Sequence, residues 1–532
     1  MCIVWRLIIA LSVSLALMGC SVLGDTPDDN RNTLIYGLTL SPSGIDPHIN
    51  RSTELGIVLR QVYDTLVYRH PDTRAFVPGL AERWEISDDG LVYTFYLREN
   101  VTFHDGTRFN AAAVVYNLDR IRAPETASQR ARFLIDPIVT YEALDEYTVQ
   151  MTLSQPFEPL LDAFSQIYLA MASPTQLAKY NTLRYQYYQV GTGPFEFVEY
   201  VPEDRIIIRR NPDYDWHPEF YGDLPPNAID EVEFRFFRDA ATRLIALESG
   251  DAHVMGDLLP TDARSVVNDP DIELLTVPIP GQPLQFYFNT QQAPTDQLAV
   301  RQALAYAANR TAIVDAVFGG FSQIAWGPMS STTLFYNRGV QDVYAYNLQQ
   351  AQQLLADVGY VDSDNDGILD RDGANLTIQV LQPPWSSLPE VTQLLQDQWE
   401  SIGIDVVVNP VSGYPALIEA SEAGEYNLIS FDQPGIDPYI LNQSYLSDAQ
   451  DNWTGYQNPE LDSVLIEAIQ TSDPEARRLQ YGRAQAIILE QALVLPVREY
   501  TNLNAYVADV QNLRYDPYGW FPLLYPVALA NE

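Results

Sequence analysis

A run of aspartates in the C-terminal half of the chain has the residue types and spacing of a calcium-binding loop. Acidic side chains stand at loop positions 1, 3, 5 and 9, and a glycine stands at position 6, where the chain must turn sharply. Position 7 offers a backbone carbonyl, but position 12 is Gly373 where a glutamate is usual, so we expect modest affinity and a structural role. The alternative is a solvated acidic turn. The predicted ligands are Asp362, Asp364, Asp366, Ile368 and Asp370.

Catalytic patterns are absent from the sequence. The five histidines form no zinc-binding pair, and neither a nucleophile elbow nor a phosphate-binding loop occurs. A hydrolase with two paired acidic residues stays open, because 70 acidic residues are available. We predict a protein that is not an enzyme and has no cofactor other than structural calcium.

Aromatic side chains are a second group able to bind a ligand. They make up 11% of the residues, and several lie in or beside loops of the C-terminal half. Such rings stack on peptide side chains or on sugar faces, although packing in the core is the alternative for any one of them. We predict that this group contributes at least one ligand contact: Trp385, Phe431, Trp453 and Tyr456.

The composition is that of a large and strongly acidic globular chain. Its 532 residues include 31 bases and 70 acids, which gives a formal net charge of −39. This charge repels phosphate groups, so nucleic acid and anionic membrane surfaces are poor partners. The two cysteines, Cys2 and Cys20, lie in the first 20 residues, which excludes a disulfide framework or cysteine zinc site in the body.

The N-terminal residues have the features of an export signal. Leu7 to Met18 is an apolar run that is too short to cross a bilayer but suits a signal peptide. It ends in Leu-Met-Gly-Cys, which resembles a bacterial lipobox and implies cleavage of residues 1–19 and lipidation of Cys20. A polar tether would follow within residues 20–32. We expect a protein outside the cytoplasmic membrane, attached to a membrane only by its lipid; an unlipidated signal peptide is the alternative.

Strand and helix patterns alternate through the body of the chain. Alternating apolar residues predict a strand at 91–97, and β-branched residues predict another at 404–408. The helix predicted at 388–402 has Pro389 in its first turn and Gly403 just beyond its end. This succession of helix, glycine and strand is typical of a layered α/β fold.

Six segments spread along the chain carry a recognisable set of motifs. They are Pro78 to Gly106 (with Pro-Gly-Leu-Ala-Glu-Arg-Trp and Val-Thr-Phe-His-Asp-Gly), Gly191 to Phe195, Val300 to Arg310, Gly403-Ile404, Asn458 to Asp462, and Leu495 to Val497. In this order they resemble the peptide/nickel family of extracellular solute-binding proteins, which are the capture subunits of ABC importers. The resemblance covers about residues 33 to 525.

The resemblance implies an α/β, two-lobed periplasmic-binding-protein-like fold with a hinge and an interlobe cleft. By analogy, residues 33–280 form lobe I with an inserted subdomain at about 76–190. Residues 281–497 form lobe II, and residues 498–532 return to lobe I. The ligand would lie in the cleft, and closure would present a docking surface to permease and ATPase subunits. We expect a monomer.

Two segments are implied to hold the ligand. Residues Ser43, Gly44 and Asp46 precede Pro47 in a loop that resembles the first cleft-edge segment of the family. Their expected contribution is backbone hydrogen bonds to an extended ligand.

The second segment departs from the pattern of peptide-binding relatives. In those proteins, a Trp-x-x-Asp segment before an Asp-Pro pair carries the carboxylate that binds the peptide amino terminus. In this chain Asp437-Pro438 resembles that Asp-Pro pair. Counting back from it, Phe431 takes the tryptophan position and Pro434 the anchoring position. The anchor is therefore predicted to be lost, with Asp432 and Asp437 close by, unless the loop is shifted by three residues.

These features predict the extracytoplasmic binding component of an ABC importer that captures peptides in its cleft. An oligosaccharide binder of the same family is the alternative that suits the aromatic residues and the lost anchor. A secreted acidic hydrolase is the alternative from another class. A nickel-chelate carrier is less favoured, because the second-lobe half has no histidine.

Overall fold

The computed structural model describes residues 32–40, 45–49, 53–385 and 387–530. The predicted signal peptide, Cys20 and the tether up to residue 31 lie outside these ranges, as do Ser43 and Gly44. Among the residues described, we find no helix with the length and apolarity needed to cross a membrane.

The described residues form 22 β-strands. They are β1 (Thr33–Leu38), β2 (Val67–Arg69), β3 (Phe76–Pro78), β4 (Ala81–Ile86), β5 (Val92–Leu97), β6 (Ile138–Asp145), β7 (Thr148–Leu153), β8 (Phe195–Val201), β9 (Arg205–Arg210), β10 (Glu231–Phe236), β11 (Val254–Met255), β12 (Ile272–Pro278), β13 (Leu284–Phe288), β14 (Asp370–Arg371), β15 (Ala374–Asn375), β16 (Thr377–Gln382), β17 (Asp405–Pro410), β18 (Leu428–Ser430), β19 (Val494–Arg498), β20 (Thr501–Val507), β21 (Val510–Gln511) and β22 (Ala528–Leu529).

Helices cover the faces of these sheets. They are α1 (Thr53–Val62), α2 (Ala111–Arg122), α3 (Arg130–Leu134), α4 (Leu160–Ser165), α5 (Pro174–Lys179), α6 (Thr182–Tyr185), α7 (Arg243–Glu248), α8 (Pro260–Val266), α9 (Leu298–Ala307), α10 (Arg310–Phe318), α11 (Leu348–Asp357), α12 (Leu388–Glu400), α13 (Tyr414–Glu422), α14 (Ile440–Tyr445), α15 (Pro459–Gln470) and α16 (Pro474–Glu490). Short 3-10 helices lie at Pro124–Thr126, Ile167–Leu169, Glu219–Tyr221, Ala240–Thr242 and Arg338–Val340.

Two mixed sheets define two lobes. The first lobe contains the seven-stranded sheet, in the order β12-β20-β11-β1-β10-β9-β8. The second lobe contains the five-stranded sheet, in the order β17-β16-β18-β13-β19. A separate antiparallel sheet, β4-β5-β7-β6, belongs to the inserted subdomain, which also includes α2 to α4.

The chain passes between the two large sheets twice. β12 ends at Pro278 and β13 begins at Leu284, and later β19 ends at Arg498 and β20 begins at Thr501. Two short connectors, 279–283 and 499–500, thus join the lobes, and few backbone torsions need change for one lobe to move against the other. They lie beside the predicted second-lobe limits of 281 and 497, which themselves stay a prediction.

Local sequence signals set the ends of helices in the second lobe. Asp473 caps α16 by accepting a hydrogen bond from the Ala476 backbone N–H at 2.8 Å, and Pro474 takes the first helical position. Gly403 follows α12 with a φ of +85°, a conformation that suits glycine and turns the chain into β17. Apolar side chains pack into one large core in each of the second lobe, the subdomain and the first lobe, and a smaller cluster lies beside β11, β12 and β20.

Candidate functional site

A cavity of about 900 Å³ lies where the inserted subdomain, the second lobe and the C-terminal segment meet. The subdomain contributes residues from 129 to 168, the second lobe from 414 to 469, and the C-terminal segment from 518 to 521. This volume is at the upper end of the roughly 300–1,000 Å³ range of small-molecule sites. A cavity enclosed by separate lobes is suited to a ligand that is trapped by closure.

Nine of the described residues in the wall of this cavity are aromatic. Phe431 lies in the second-lobe wall, with its ring 5.9 Å from Tyr414 and 5.5 Å from Trp453, both at tilted angles. Trp453 is buried behind Phe431, and its Nε1 has no hydrogen-bond partner among the described residues. The aromatic residues of the wall are Phe133, Phe157, Tyr168, Tyr414, Phe431, Tyr439, Tyr518, Trp520 and Phe521.

Charged groups line the cavity on both the subdomain wall and the second-lobe wall. Arg130, on the subdomain, is the one base among the described residues that line the cavity. Asp432 and Asp451 stand on the second lobe, while Asp136 lies on the subdomain and pairs with Arg132 at 3.7 Å. The cavity can thus offer a carboxylate on one side and a guanidinium on the other.

Asp432 combines burial with a position in the cavity wall. Its Oδ1 accepts a hydrogen bond from the Tyr500 hydroxyl at 3.0 Å. Burial raises the pKa of Asp432 to about 6, while the Tyr500 hydrogen bond and the Arg498 guanidinium limit the rise. At neutral pH this carboxylate is ionised and suited to pairing with a cationic group of a ligand.

The wall segment after Asp432 is hydrogen-bonded to the first hinge connector. The Gln282 N–H donates to the Gln433 carbonyl at 2.8 Å, and the Gly435 N–H donates to the Pro280 carbonyl at 3.0 Å. Gly281 has a φ of +123°, and a Cβ there would meet the Gln433 carbonyl oxygen at 2.4 Å. Only glycine lets the hinge lie this close to the wall. The anchoring position, Pro434, lies in that same wall.

Asp437 has a partner within the protein. Its carboxylate forms a bidentate ion pair with the Arg477 guanidinium at 3.1–3.3 Å, and both side chains are buried. It lines a side cavity of about 40 Å³ next to the main one. Its predicted contact with the ligand stays a prediction, and the geometry shows a structural role.

Asp46 is likewise held inside the first lobe. Arg120 donates to its two carboxylate oxygens at 3.0 and 2.5 Å, and the His48 backbone N–H donates to Oδ1 at 3.0 Å. Burial lowers the pKa of His48 to about 4, with Arg120 acting in the same direction. This cluster fixes the chain just after the segment predicted to edge the cleft, of which Ser43 and Gly44 lie outside the described residues.

Two of the predicted aromatic contacts lie away from the cavity. Trp385 is half-buried against the second-lobe core. Tyr456 lines a separate surface pocket of about 660 Å³ with Arg301 and Gln491, and its hydroxyl accepts a hydrogen bond from Asn458 at 3.0 Å. Of the four aromatics singled out in the sequence, Phe431 alone lies in the described wall.

The acidic loop brings three carboxylates together. Oxygens of Asp362, Asp364 and Asp366 lie within 4.8 Å of one another, and all three side chains are exposed. Asp370 instead accepts hydrogen bonds from the Ser363 N–H and hydroxyl at 2.7–2.9 Å, which hold the pKa of Asp370 below its usual range. The Ile368 N–H donates to Asp366 at 2.8 Å. Three hard oxygen donors fit calcium, with Asp370 outside the set.

Sequence reasoning missed most of the cavity wall. Arg130, Phe133, Phe157 and Tyr439 belong to no motif, and the C-terminal Tyr-Gly-Trp-Phe run at 518–521 offered only its aromatic density as a signal. Side chains from three distant parts of the sequence meet here, so local spacing carries no sign of the site.

Comparison of the chain with known protein families agrees with this architecture. Residues 75–453 match the model of the bacterial extracellular solute-binding proteins, family 5, so the chain belongs to this family. Members are binding subunits of ABC importers and are not enzymes. The predicted family, two-lobed fold and absence of enzymatic function are confirmed, and the hydrolase alternative is set aside.

Three curated relatives cover between 79% and 96% of this chain. The chain is 28% identical to di/tripeptide-binding protein 1 of Pseudomonas aeruginosa, over 96% of this chain and 97% of the relative. It is 29% identical to heme-binding protein A of Haemophilus influenzae, over 93% and 92%. It is 30% identical to glutathione-binding protein GsiB of Escherichia coli, over 79% of each. Among solved structures, NikA of Brucella suis shares the fold with a TM-score of 0.82 at 22% identity, covering 93% of this chain and 99% of NikA.

Proposed function

We propose that this protein captures short peptides in the interlobe cavity and delivers them to a membrane permease. The observation that carries the proposal is the arrangement of charge around an aromatic cavity, with Asp432 and Asp451 on one wall and Arg130 on the other. A peptide with free ends has an ammonium and a carboxylate to match. Its side chains would pack on aromatic rings such as Phe431.

Pro434 stands at the anchoring position but has no carboxylate. We expect Asp432 to bind the ligand ammonium in its place. The Asp432 carboxylate would pair with the ligand ammonium, and the Tyr500 hydroxyl at 3.0 Å holds that carboxylate in the wall. The di/tripeptide-binding and glutathione-binding relatives support a peptide, and the heme-binding relative offers a different ligand. Lipid attachment through Cys20 and a monomeric state are part of the proposal.

Native mass spectrometry of the protein from Ser21, as purified, tests the ligand class directly. Bound masses that fragment as peptides would support the proposal. Retained haem, or mass steps of a hexose, would contradict it and favour a haem or oligosaccharide carrier. An empty protein would be titrated by calorimetry with an equimolar mixture of Ala-Xaa-Ala tripeptides, with haem and with glucose oligomers, and absence of peptide binding would overturn the proposal.

Variants localise the site. Phe431→Ala should weaken peptide binding about tenfold, since an aromatic contact contributes about 0.5–1.5 kcal/mol beyond the area that it buries. Trp385→Phe and Tyr456→Phe are matched controls, because both rings lie off the cavity wall. Equal losses in all three variants would place the peptide elsewhere.

A further inference from the structure

Arg130 and Phe133 stand side by side on the subdomain wall. Both belong to α3, and the Arg130 Cζ lies 5.7 Å from the centre of the Phe133 ring. Apart from this contact, Arg130 has a long hydrogen bond to Gln166 Oε1 at 3.5 Å. None of the ion pairs found among the described residues includes it, so its guanidinium has capacity for an anion from the ligand.

A side chain of the second lobe, Tyr439, packs against Phe133. The Phe133 ring stacks on Tyr439 at 6.4 Å with an interplanar angle of 19°, and Phe157 meets Tyr439 edge-on at 5.1 Å. Phe133 is 42% exposed and lines the cavity, so part of its ring is open to a ligand. The stack of Phe133 on Tyr439 therefore joins the inserted subdomain to the second lobe.

Arg130 lies close enough to Tyr439 for its positive charge to act on the Tyr439 hydroxyl. Burial raises the pKa of Tyr439, while the positive charge of Arg130 opposes the rise and the carboxylates of Asp136 and Asp437 reinforce it. Asp437 is paired with Arg477, and Asp136 with Arg132, so neither is committed to Arg130. Gln166 in turn donates to Asp162 at 3.0 Å, which fixes the amide whose oxygen accepts from the Arg130 guanidinium.

We propose that Tyr439 is a positioning residue, which holds Phe133 and through it the Arg130 guanidinium in place for a ligand carboxylate only when the lobes are closed. When the second lobe moves away, Phe133 loses its stacking partner and Arg130 loses the surface that limits its rotamers. The ligand carboxylate therefore binds more tightly to the closed state than to the open state. Such a difference is what allows a ligand to shift the population towards closure.

This inference rests on the proposed peptide function, and the test separates the two. The probe is the equimolar mixture of Ala-Xaa-Ala tripeptides, used once with free carboxyl ends and once as carboxyamides, with calorimetry as the readout. Wild type should bind the free acids about tenfold or more tightly than the amides, because the hydrogen bond to a charged group is lost in the amide. The ratio of the two affinities is a quantity that general destabilisation does not change.

Arg130→Gln should bring the acid-to-amide ratio close to one, because it weakens binding of the free acids more than binding of the amides. Tyr439→Ala should lower the ratio in the same way, whereas Tyr439→Phe keeps the ring and should retain it. Phe133→Ala is the second variant, and its half-exposed ring can be removed without emptying the core. The double variant Arg130→Gln with Tyr439→Ala should show no further loss of the ratio.

Two results would overturn the inference. Wild-type discrimination that persists in Tyr439→Ala and Phe133→Ala would show that Arg130 needs no positioning by the stack. Equal binding of acids and amides by wild type would remove Arg130 as a carboxylate ligand while leaving peptide binding in place. Absence of binding to either mixture would contradict the proposed peptide function itself, and the inference with it.

Discussion

The Asp437 carboxylate and the Arg477 guanidinium form a buried, bidentate ion pair within the second lobe, with oxygen–nitrogen distances of 3.1–3.3 Å. Arg477 also donates to the Ala468 carbonyl at 2.9 Å, so most of its donors are satisfied. The pair lies at the boundary with the subdomain, whose Glu158 N–H donates to the Ile469 carbonyl at 2.8 Å. It therefore fixes the part of the second lobe that meets the subdomain.

Removing the charge of Asp437 should cost stability. Asp437→Asn leaves the buried Arg477 without its carboxylate, and breaking such a pair typically costs about 3–5 kcal/mol. Urea unfolding measures the loss. Glu85→Gln is the matched control, because its ion pair with Arg83 is solvent-exposed and should add little. An Asp437→Asn protein of unchanged stability but lost peptide binding would instead place Asp437 in the ligand site.

Peptide binding should weaken in acid. Because the pKa of Asp432 is raised to about 6, its carboxylate becomes protonated below that pH and loses its attraction for the ligand ammonium. We expect several-fold weaker binding at pH 5 than at pH 7.5 by calorimetry. Asp432→Asn should be weaker at pH 7.5 and show little pH dependence, and Asp136→Asn is the control on the other wall. N-acetylated peptides that show the same pH dependence would contradict this assignment.

The ligand-free protein should become more stable as the pH falls from 7.5 to 5.5. Burial raises the pKa of Asp64, Asp432 and Asp516 to about 6 and that of Glu158 to about 7, from ordinary values of 3.8 and 4.5. Between each pair of values the folded state binds more protons than the unfolded state, so stability is lost as the pH rises. Two buried histidines with pKa values near 4 act in the opposite sense but are fewer.

Urea unfolding at pH 7.5, 6.5 and 5.5 tests this expectation. Glu158→Gln cannot titrate, so it should reduce the gain in stability between pH 7.5 and 6.5. A stability maximum above pH 7 would contradict the raised pKa values.

Calcium should stabilise the protein through the acidic loop. The three converging carboxylates of Asp362, Asp364 and Asp366 repel one another until a cation neutralises them. Added calcium should raise the melting temperature, and a chelator should reverse the effect. Asp364→Asn should abolish the response, whereas Asp372→Asn removes an equal charge nearby and should keep it. A wild-type protein that ignores both calcium and chelator would show the loop to be a solvated turn.

Membrane attachment should depend on Cys20. Metabolic labelling with a fatty acid should mark wild type and Cys2→Ser but not Cys20→Ser, because the predicted cleavage after Gly19 would remove Cys2 and leave Cys20 as the acceptor. Cys20→Ser should also fail to fractionate with membranes. Labelling that survives in Cys20→Ser would contradict the lipobox interpretation.

Local patterns gave the secondary structure with small shifts. The helix predicted at 388–402 runs from Leu388 to Glu400, and the strand predicted at 404–408 runs from Asp405 to Pro410. The strand predicted at 91–97 runs from Val92 to Leu97. Caps, turns and periodicity act over a few residues, so they can be read from the sequence.

The site was predicted less completely, and the reason is physical. Phe431 and Asp432 were found because they lie beside a family motif, and both line the cavity. Asp437 also lies beside that motif, but its carboxylate is paired with the guanidinium of Arg477, which is 40 residues away in the sequence. Whether an acidic side chain faces a ligand or an internal cation depends on which distant residue the fold brings to it.

Residue types and their local order are enough to indicate the family, the succession of α/β elements, the strong negative charge and the spacing of the acidic loop. The cavity depends on how distant segments pack together. Its walls come from a subdomain, a second lobe and a C-terminal segment that are hundreds of residues apart, so the pairing of Phe133 with Tyr439 exists only once the lobes meet. Contacts between distant segments arise from the packing of whole layers, and no local pattern encodes them.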